Sequence, residues 1–288
     1  MPYQTIVLST AFLGSTISAI WDLKTTEIPD QIPYIMIAVA LITYGIQSYA
    51  ESNYWIVLNS LIVGLSLLGF GFLMYYLGQW GGGDAKLLSA LGFLLPAAPS
   101  GFASLLGSFP LSLLFNLFLV GSVYMLAYAL VLAGMNKKII ERFVSDVKSS
   151  SNIFLAGSAV LFIMFVFLNL FISNLFSVQS SAGFLIANSV FPLLATISIF
   201  LIWKFAKAVE DVGFRKKIPI SKLKIGDVIL ESKLWEGITE KELNTIKRSG
   251  KRFVWVKEGV RFAPAFPLAL LFTLYFGDGI LLFMKFVS

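Results

Sequence analysis

The feature that most constrains the fold of this chain is a succession of apolar stretches that runs through most of the sequence. Seven of the eight stretches are long enough, or nearly long enough, to cross a bilayer, and 85–96 is a shorter one. Charged residues make up only 13% of the chain, about half the fraction typical of soluble domains. The sequence therefore predicts an all-α polytopic membrane protein with about eight transmembrane helices. The stretches are 5–21, 33–50, 54–78, 85–96, 103–133, 153–176, 183–203 and 263–286.

The placement of basic residues predicts the orientation of these helices. With eight crossings and an external N-terminus, 21 of the 22 Lys and Arg residues fall on the inside, in agreement with the positive-inside rule. If 85–96 did not cross, the basic stretch 134–152 would lie outside. Residues 1–4 carry no basic group, so we expect the first stretch to be a retained span of a multi-pass cell-membrane protein. The predicted cytoplasmic segments are 22–32, 79–86, 134–152 and 204–262.

The longest of these segments, 204–262, contains 15 Lys and Arg against 8 Asp and Glu. Alternation over 218–230 indicates a strand or hairpin, and 252–256 indicates another strand. Between them, Thr239 and Glu242 fit a capping box that opens a short helix. These patterns predict a small α+β module whose basic charge suits the anionic inner leaflet. We expect membrane lipids, and no nucleic acid, as partners.

Composition excludes several kinds of catalytic site. The chain has no cysteine and no histidine, which rules out thiol nucleophiles, Cys/His metal sites and the Ser-His-Asp triad. Acid–base chemistry near neutral pH must then use carboxylates, Lys or Tyr. We expect no cofactor and no metal.

Two short polar breaks each place one carboxylate at the edge of a predicted membrane helix. The first, 21–30, contains Asp22, and the second, 81–86, reads GGGDAK and contains Asp84. A charged group at a membrane is costly and by default indicates function. Taken singly, Asp22 also fits an interfacial loop acid, Asp84 fits a helix N-cap, and Lys86 fits a snorkelling anchor. The predicted topology places both breaks on the cytoplasmic side.

The pair of carboxylates indicates a more specific chemistry than either member. Two neighbouring carboxylates cannot both ionise cheaply, so they share a proton. One then acts as a base on a water molecule while the other, protonated, polarises a scissile carbonyl. The three glycines 81–83 let the backbone bend and let a substrate chain approach. Asp22 and Asp84 are therefore the predicted catalytic residues for hydrolysis of a peptide bond.

The two breaks also carry a family resemblance. The stretch from Asp22 to Asp30, with Asp84 following 62 residues after Asp22, resembles the type IV prepilin peptidases, and within them the archaeal preflagellin and prepilin peptidases. These are membrane aspartic proteases of the GxGD class, whose signature Gly81, Gly83 and Asp84 match. Asp22 matches the first catalytic aspartate. The resemblance covers about residues 1–135 and returns more weakly near the C-terminus.

This resemblance implies removal of class III signal peptides from preflagellin or type IV pilin-like precursors at the cytoplasmic membrane face. Glu27 and Asp30 are then possible contacts for a basic leader. Lys86, beside Asp84, supports the site either as a snorkelling anchor, which we favour, or as an electrostatic neighbour of the dyad. The expected organisation is a catalytic membrane core at 1–135, a cytoplasmic basic loop with two additional helices at 136–203, the basic module at 204–262 and the last transmembrane helix at 263–288.

The chain departs from the family pattern in several places. Bacterial members that also N-methylate carry a cysteine-rich insertion, and a chain without cysteine lacks that site. Archaeal relatives resemble six-span proteins, so 153–176 and 183–203 are two extra helices, and the sequence does not indicate their role. The residues of the module 204–262 do not indicate a function either. Asp278 has Tyr275 where GxGD needs its first glycine, and the predicted topology puts it toward the outer face. We expect Asp278 to be structural.

Three alternative readings stay open from the sequence. A presenilin or signal-peptide-peptidase type protease also uses GxGD, and residues 264–266 read Pro-Ala-Phe where that class has Pro-Ala-Leu. An ion-coupled transporter could use Asp22, Asp84 and Asp278 to bind a cation. A membrane scaffold would use the same acids merely to cap helices.

Overall fold

The fold is a set of membrane-type helices with one small sheet-containing module. The computed structural model describes residues 2–99, 102, 106–176, 181–230, 237–249, 252–257 and 259–280. Within these ranges, six helices are long and apolar enough to cross a membrane, which confirms the predicted polytopic helical fold. They are α1 (Pro2–Thr25), α2 (Gln31–Ala50), α3 (Trp55–Tyr76), α5 (Phe109–Met135), α6 (Lys137–Leu175) and α7 (Ala182–Gly213).

Two of the predicted spans correspond to shorter helices. Helix α4 (Gly82–Leu94) has 13 residues and therefore a length of about 20 Å, less than the hydrocarbon core of a bilayer. The last helix, α9 (Ala265–Phe276), has 12 residues, and the end of its predicted span, 281–286, lies outside the described residues. Both are apolar; α4 is largely buried among other helices, and half of the residues of α9 are buried.

Helix α4 packs closely on α3 because small residues line their contact. A Cβ atom at Gly71 would lie 2.8 Å from Ala85 Cα, so only glycine permits this approach. The Ser60 hydroxyl donates to the Phe93 carbonyl at 2.6 Å, and the Ser89 hydroxyl donates to the Gly64 carbonyl at 3.0 Å. These contacts fix the position of α4 and therefore of the polar break at its start.

The chain divides into two compact units, and the first comprises Met1–Tyr128 with Lys216–Ser288. Its membrane part has a core formed by α1 to α5 and α9. Its module contains β1 (Arg215–Pro219), which begins one residue before the unit, a 3-10 turn (Ile220–Lys222), β2 (Val228–Ile229), α8 (Glu240–Arg248) and β3 (Phe253–Lys257).

The module has the predicted α+β character. Its sheet has the order β1-β3-β2, and β2 pairs antiparallel with β3 so that Val228 faces Lys257. The capping box before α8 is present, because the Thr239 N–H donates to a Glu242 carboxylate oxygen at 2.8 Å and the Glu242 N–H donates to the Thr239 hydroxyl at 3.4 Å. The stretch 218–230, expected as a strand or hairpin, contains only the end of β1, the 3-10 turn and the two-residue β2.

The second unit, Ala129–Arg215, consists mainly of α6 and α7 packed against each other. The basic stretch 134–152, expected as a loop, is helical from Lys137 onward and forms the first turns of α6. Asn136 caps this helix by accepting the Lys138 N–H at 3.2 Å. Because ion pairs such as Arg142–Asp146 at 3.1 Å support helical geometry, charge along this stretch did not end the helix.

Candidate active site

Asp22 lies in the last turn of α1 and is almost completely buried, with 4% of its surface exposed. One of its carboxylate oxygens accepts the backbone N–H of Ala263 at 2.9 Å. The helix ends three residues later at Thr25, and the next residue, Thr26, has a φ of 62° in the left-handed region. The end of α1 thus directs Asp22 toward the segment that enters α9.

That segment is held by Arg261, a residue that the sequence did not single out. The Arg261 guanidinium donates to the Leu23 carbonyl at 3.0 Å and to the Tyr128 hydroxyl at 2.7 Å. The Arg261 carbonyl in turn accepts the Tyr124 hydroxyl at 2.8 Å. The only sequence signal for this cluster is an arginine directly before the last apolar stretch. On its own, such an arginine cannot be distinguished from an ordinary basic residue at the membrane interface.

Asp84 lies in the first turn of α4, where its carboxylate accepts the Gly81 N–H at 3.1 Å. This contact satisfies one of the free N–H groups at the start of the helix. A Cβ atom at Gly83 would lie 2.9 Å from Ile28 Cβ, so the missing side chain lets the second break pack directly on the first. A Cβ at Gly82 would meet only Tyr75, at 3.9 Å.

Lys86 joins the two breaks by a different contact from those predicted. Its ammonium group lies 2.6 Å and 2.7 Å from the two carboxylate oxygens of Asp30 and 5.8 Å from the centre of the Tyr34 ring. Lys86 therefore ties the start of α4 to the start of α2, and Asp30 is engaged by it.

A cavity of about 950 Å³ brings the two acidic breaks together. Asp22 and Asp84 both line it, together with Glu27 and the glycines 81–83. The module forms the facing wall, which includes Lys222 and other basic side chains. Neither Asp30 nor Lys86 belongs to the described residues that line this cavity. Within the described ranges, no group of three or more candidate ligands could hold a metal ion.

The two carboxyl groups have unequal electrostatic surroundings. Burial, reinforced by the negative charge of Asp22 and opposed by the Gly81 N–H, raises the pKa of Asp84 to about 7. Asp22 is also buried, but its carboxylate accepts the Ala263 N–H and lies within the electrostatic reach of the Arg261 guanidinium. Such unequal surroundings let one carboxyl group hold a proton while the other is ionised.

Asp278 does not belong to this site. It is fully buried just after the C-terminal end of α9, whereas Ala263 lies just before the start of that helix. The Asp278 carboxylate accepts the Leu106 N–H at 3.1 Å. Nearby, the Asn116 amide donates to the Thr273 hydroxyl at 2.9 Å and to the Gly277 carbonyl at 2.8 Å. Asp278 thus makes a structural contact of the kind expected for it.

Comparison with known proteins finds a family similarity over the part of the chain that contains both polar breaks. Residues 9–135 match the model of the type IV leader peptidase family. The chain is 29% identical to the prepilin peptidase EppA of Methanothermobacter thermautotrophicus over 128 residues, which are 41% of this chain and 33% of the relative. It is 37% identical to the preflagellin peptidase of Methanocaldococcus jannaschii over 84 residues, which are 29% of this chain and 36% of the relative.

A preflagellin peptidase of Methanococcus voltae is 30% identical over 92 residues, or 32% of this chain and 39% of the relative. The chain thus spans between 33% and 39% of the length of these relatives. The family match contains both polar breaks, with Asp22, Gly81, Gly83 and Asp84. Arg261 and Ala263 lie outside it. Over residues 9–135, the chain is therefore similar to the type IV leader peptidase family.

Proposed function

We propose that this protein is a membrane aspartic endopeptidase that removes the signal peptides of preflagellin or type IV pilin-like precursors. The observation that carries the proposal is the convergence of Asp22 and Asp84, from two separate polar breaks, on one cavity at the ends of membrane helices. The family match over residues 9–135 and the names of the relatives support the reaction class and the substrate class.

In this proposal the two aspartates have different roles. We assign Asp22 as the base because its carboxylate accepts the Ala263 N–H and lies near the Arg261 guanidinium, two contacts that oppose the cost of burying a carboxylate. Asp84 is the acid, because its pKa, raised to about 7, leaves about half of it protonated at neutral pH. Asp22 takes a proton from a water molecule, and the oxygen of that water attacks the scissile carbonyl carbon. Asp84 donates its proton to the carbonyl oxygen. As the tetrahedral intermediate collapses and its C–N bond breaks, Asp22 gives the proton it took from water to the leaving amine. Asp84 takes a proton back from the intermediate's hydroxyl, which restores both acids.

The cavity suits a peptide bond at the edge of the membrane. Gly81 lines the cavity without a side chain, so its backbone is open to a substrate, whereas Gly83 lets the two breaks pack together. Glu27 lines the same cavity and is the acid available to a basic leader, whereas Asp30 is paired with Lys86. The charge distribution of the sequence supports a position of this end of the helices on the cytoplasmic side of the cell membrane. Lipids surround the spans.

Cleavage of a preflagellin or prepilin by the purified full chain in detergent or vesicles tests the proposal. We expect wild type to cut after a small residue next to the hydrophobic helix, and Asp22→Asn and Asp84→Asn each to lose about 100-fold or more in rate. Asp146→Asn, which removes an acid in α6, is the matched control and should keep its activity. Cleavage within the spanning helix would favour the presenilin-like alternative. Absence of wild-type cleavage with ion-dependent uptake would favour a transporter.

A further inference from the structure

The segment between the module and α9 holds Asp22 by contacts outside the family match. Ala263 donates its N–H to the Asp22 carboxylate at 2.9 Å, yet the two residues are 241 positions apart. We propose that Arg261 is a positioning residue that fixes this segment and thereby orients the Asp22 carboxylate. The inference rests on the function proposed above, because it gives Asp22 the role of the base.

The first support for this role is the geometry of the arginine. Its guanidinium joins the end of α1, through the Leu23 carbonyl at 3.0 Å, to α5, through the Tyr128 hydroxyl at 2.7 Å. Its own carbonyl accepts the Tyr124 hydroxyl at 2.8 Å. Both the side chain and the backbone of Arg261 are therefore fixed to the membrane helices, and this limits where the N–H of Ala263, two residues on, can lie.

The second support is the close packing on both sides of Arg261. A Cβ atom at Gly259 would lie 3.1 Å from the Thr26 carbonyl oxygen, so the segment runs directly against the end of α1. The Phe262 ring lies 5.9 Å from Trp80, which immediately precedes the glycine break. The segment is thus placed between the two acidic breaks, and Arg261 is the charged residue at its centre.

The third support is the chemistry of the guanidinium. A planar fork can donate to the Leu23 carbonyl and the Tyr128 hydroxyl at once and keeps its charge beside Asp22. A lysine would bring a point charge with a different arrangement of donors and cannot reproduce both contacts in this geometry. Substitution by lysine keeps the positive charge at position 261 but not both hydrogen bonds, and substitution by alanine removes both, so the two contributions of Arg261 can be measured separately.

The experiment measures kcat and KM for precursor cleavage in wild type, Arg261→Ala and Arg261→Lys. We expect Arg261→Ala to lower kcat by about 10- to 100-fold with little change in KM, because the base is displaced while the substrate contacts remain. Millimolar guanidinium should restore part of the kcat of Arg261→Ala, and Arg261→Lys should retain an intermediate kcat. Arg252→Ala, in the module, is the matched control and should resemble wild type.

The coupling to α5 is tested by Tyr128→Phe. It should lower kcat less than Arg261→Ala does, and it should add no further loss in the double variant, because both changes break the same contact. A normal kcat in Arg261→Ala would overturn the proposal, as would a change confined to KM. An equal loss in the alanine and lysine variants without guanidinium rescue would also overturn it.

A measurement without catalysis separates this inference from the proposed function. Amide hydrogen exchange of the peptide containing residues 259–263 should accelerate in Arg261→Ala and stay unchanged in Arg252→Ala. Unchanged exchange in Arg261→Ala would overturn the positioning role even if the wild type cleaves no precursor. Conversely, if wild type and Asp22→Asn both cleave, the proposed catalytic role of Asp22 is wrong. The exchange result would still test whether Arg261 fixes the segment 259–263.

Discussion

Two buried carboxylates stand near opposite ends of α9, and their surroundings differ. Asp22 accepts the Ala263 N–H at the start of the helix, faces a cavity of about 950 Å³ and shares that cavity with Asp84. Asp278 accepts the Leu106 N–H beyond the end of the helix and does not line that cavity. Burial and a backbone hydrogen bond are common to both. What distinguishes a candidate catalytic acid here is therefore the open cavity and the second acid, because catalysis needs room for a substrate and a partner for the proton.

The largest expected effect separates these two carboxylates by function. Asp22→Asn and Asp84→Asn should lower the cleavage rate by about 100-fold or more with little change in stability, since asparagine keeps the shape but cannot transfer the proton. Asp278→Ala should instead keep activity and lower the free energy of unfolding by about 1–3 kcal/mol, because the Leu106 N–H loses this acceptor. Cleavage rates and thermal unfolding in detergent check both expectations. An active Asp22→Asn would contradict the catalytic role of Asp22. An Asp278→Ala that folds fully yet does not cleave would contradict the structural role of Asp278.

The pH dependence of cleavage sharpens the comparison between the two members of the dyad. Because burial and the charge of Asp22 raise the pKa of Asp84 to about 7, this carboxyl holds its proton below that pH and loses it above. The dyad then lacks its acid, so kcat/KM should fall about tenfold per pH unit above neutrality, or about 100-fold two units higher. Rates measured on protein that remains folded across the range test this expectation. A rate that stays constant into the alkaline range would contradict the assignment of Asp84 as the acid.

The contact between the two breaks provides a smaller effect with a neighbouring control. Gly83→Ala would place a Cβ atom 2.9 Å from Ile28 Cβ and push the breaks apart, so we expect cleavage to fall by about 10- to 100-fold. Gly82→Ala has room, with its nearest contact at 3.9 Å, and should change the rate little. Ile28→Gly should restore part of the activity of Gly83→Ala. Equal rates in the two alanine variants would show that the close approach at Gly83 is unimportant.

Sequence patterns predicted those parts of the molecule that short-range chemistry determines. The apolar stretches, the capping box at Thr239 and the two acidic breaks are all local signals, and the structure contains each of them. The contacts of Asp22 with Ala263 and of Arg261 with Leu23 join residues more than 230 positions apart, so no local pattern contains them. Charge alone predicts a loop for the basic stretch before residue 153. An N-cap and ion pairs within the helix make the same residues helical.

The weakest expected effect concerns the ion pair between Lys86 and Asp30, which links α4 to α2 at the surface. Its side chains are 23% and 51% exposed, so solvent screens the attraction and its contribution to stability should be about 0–1 kcal/mol. Lys86→Met and Asp30→Asn should therefore each lower cleavage by only a few fold, and the exchanged pair, Lys86→Asp with Asp30→Lys, should recover most of the loss. Precursor cleavage and thermal unfolding are the measurements. A loss as large as that of Asp84→Asn would mean that Lys86 acts on the dyad itself. Lys86 would then belong with the residues that react and not with those that hold the two breaks together.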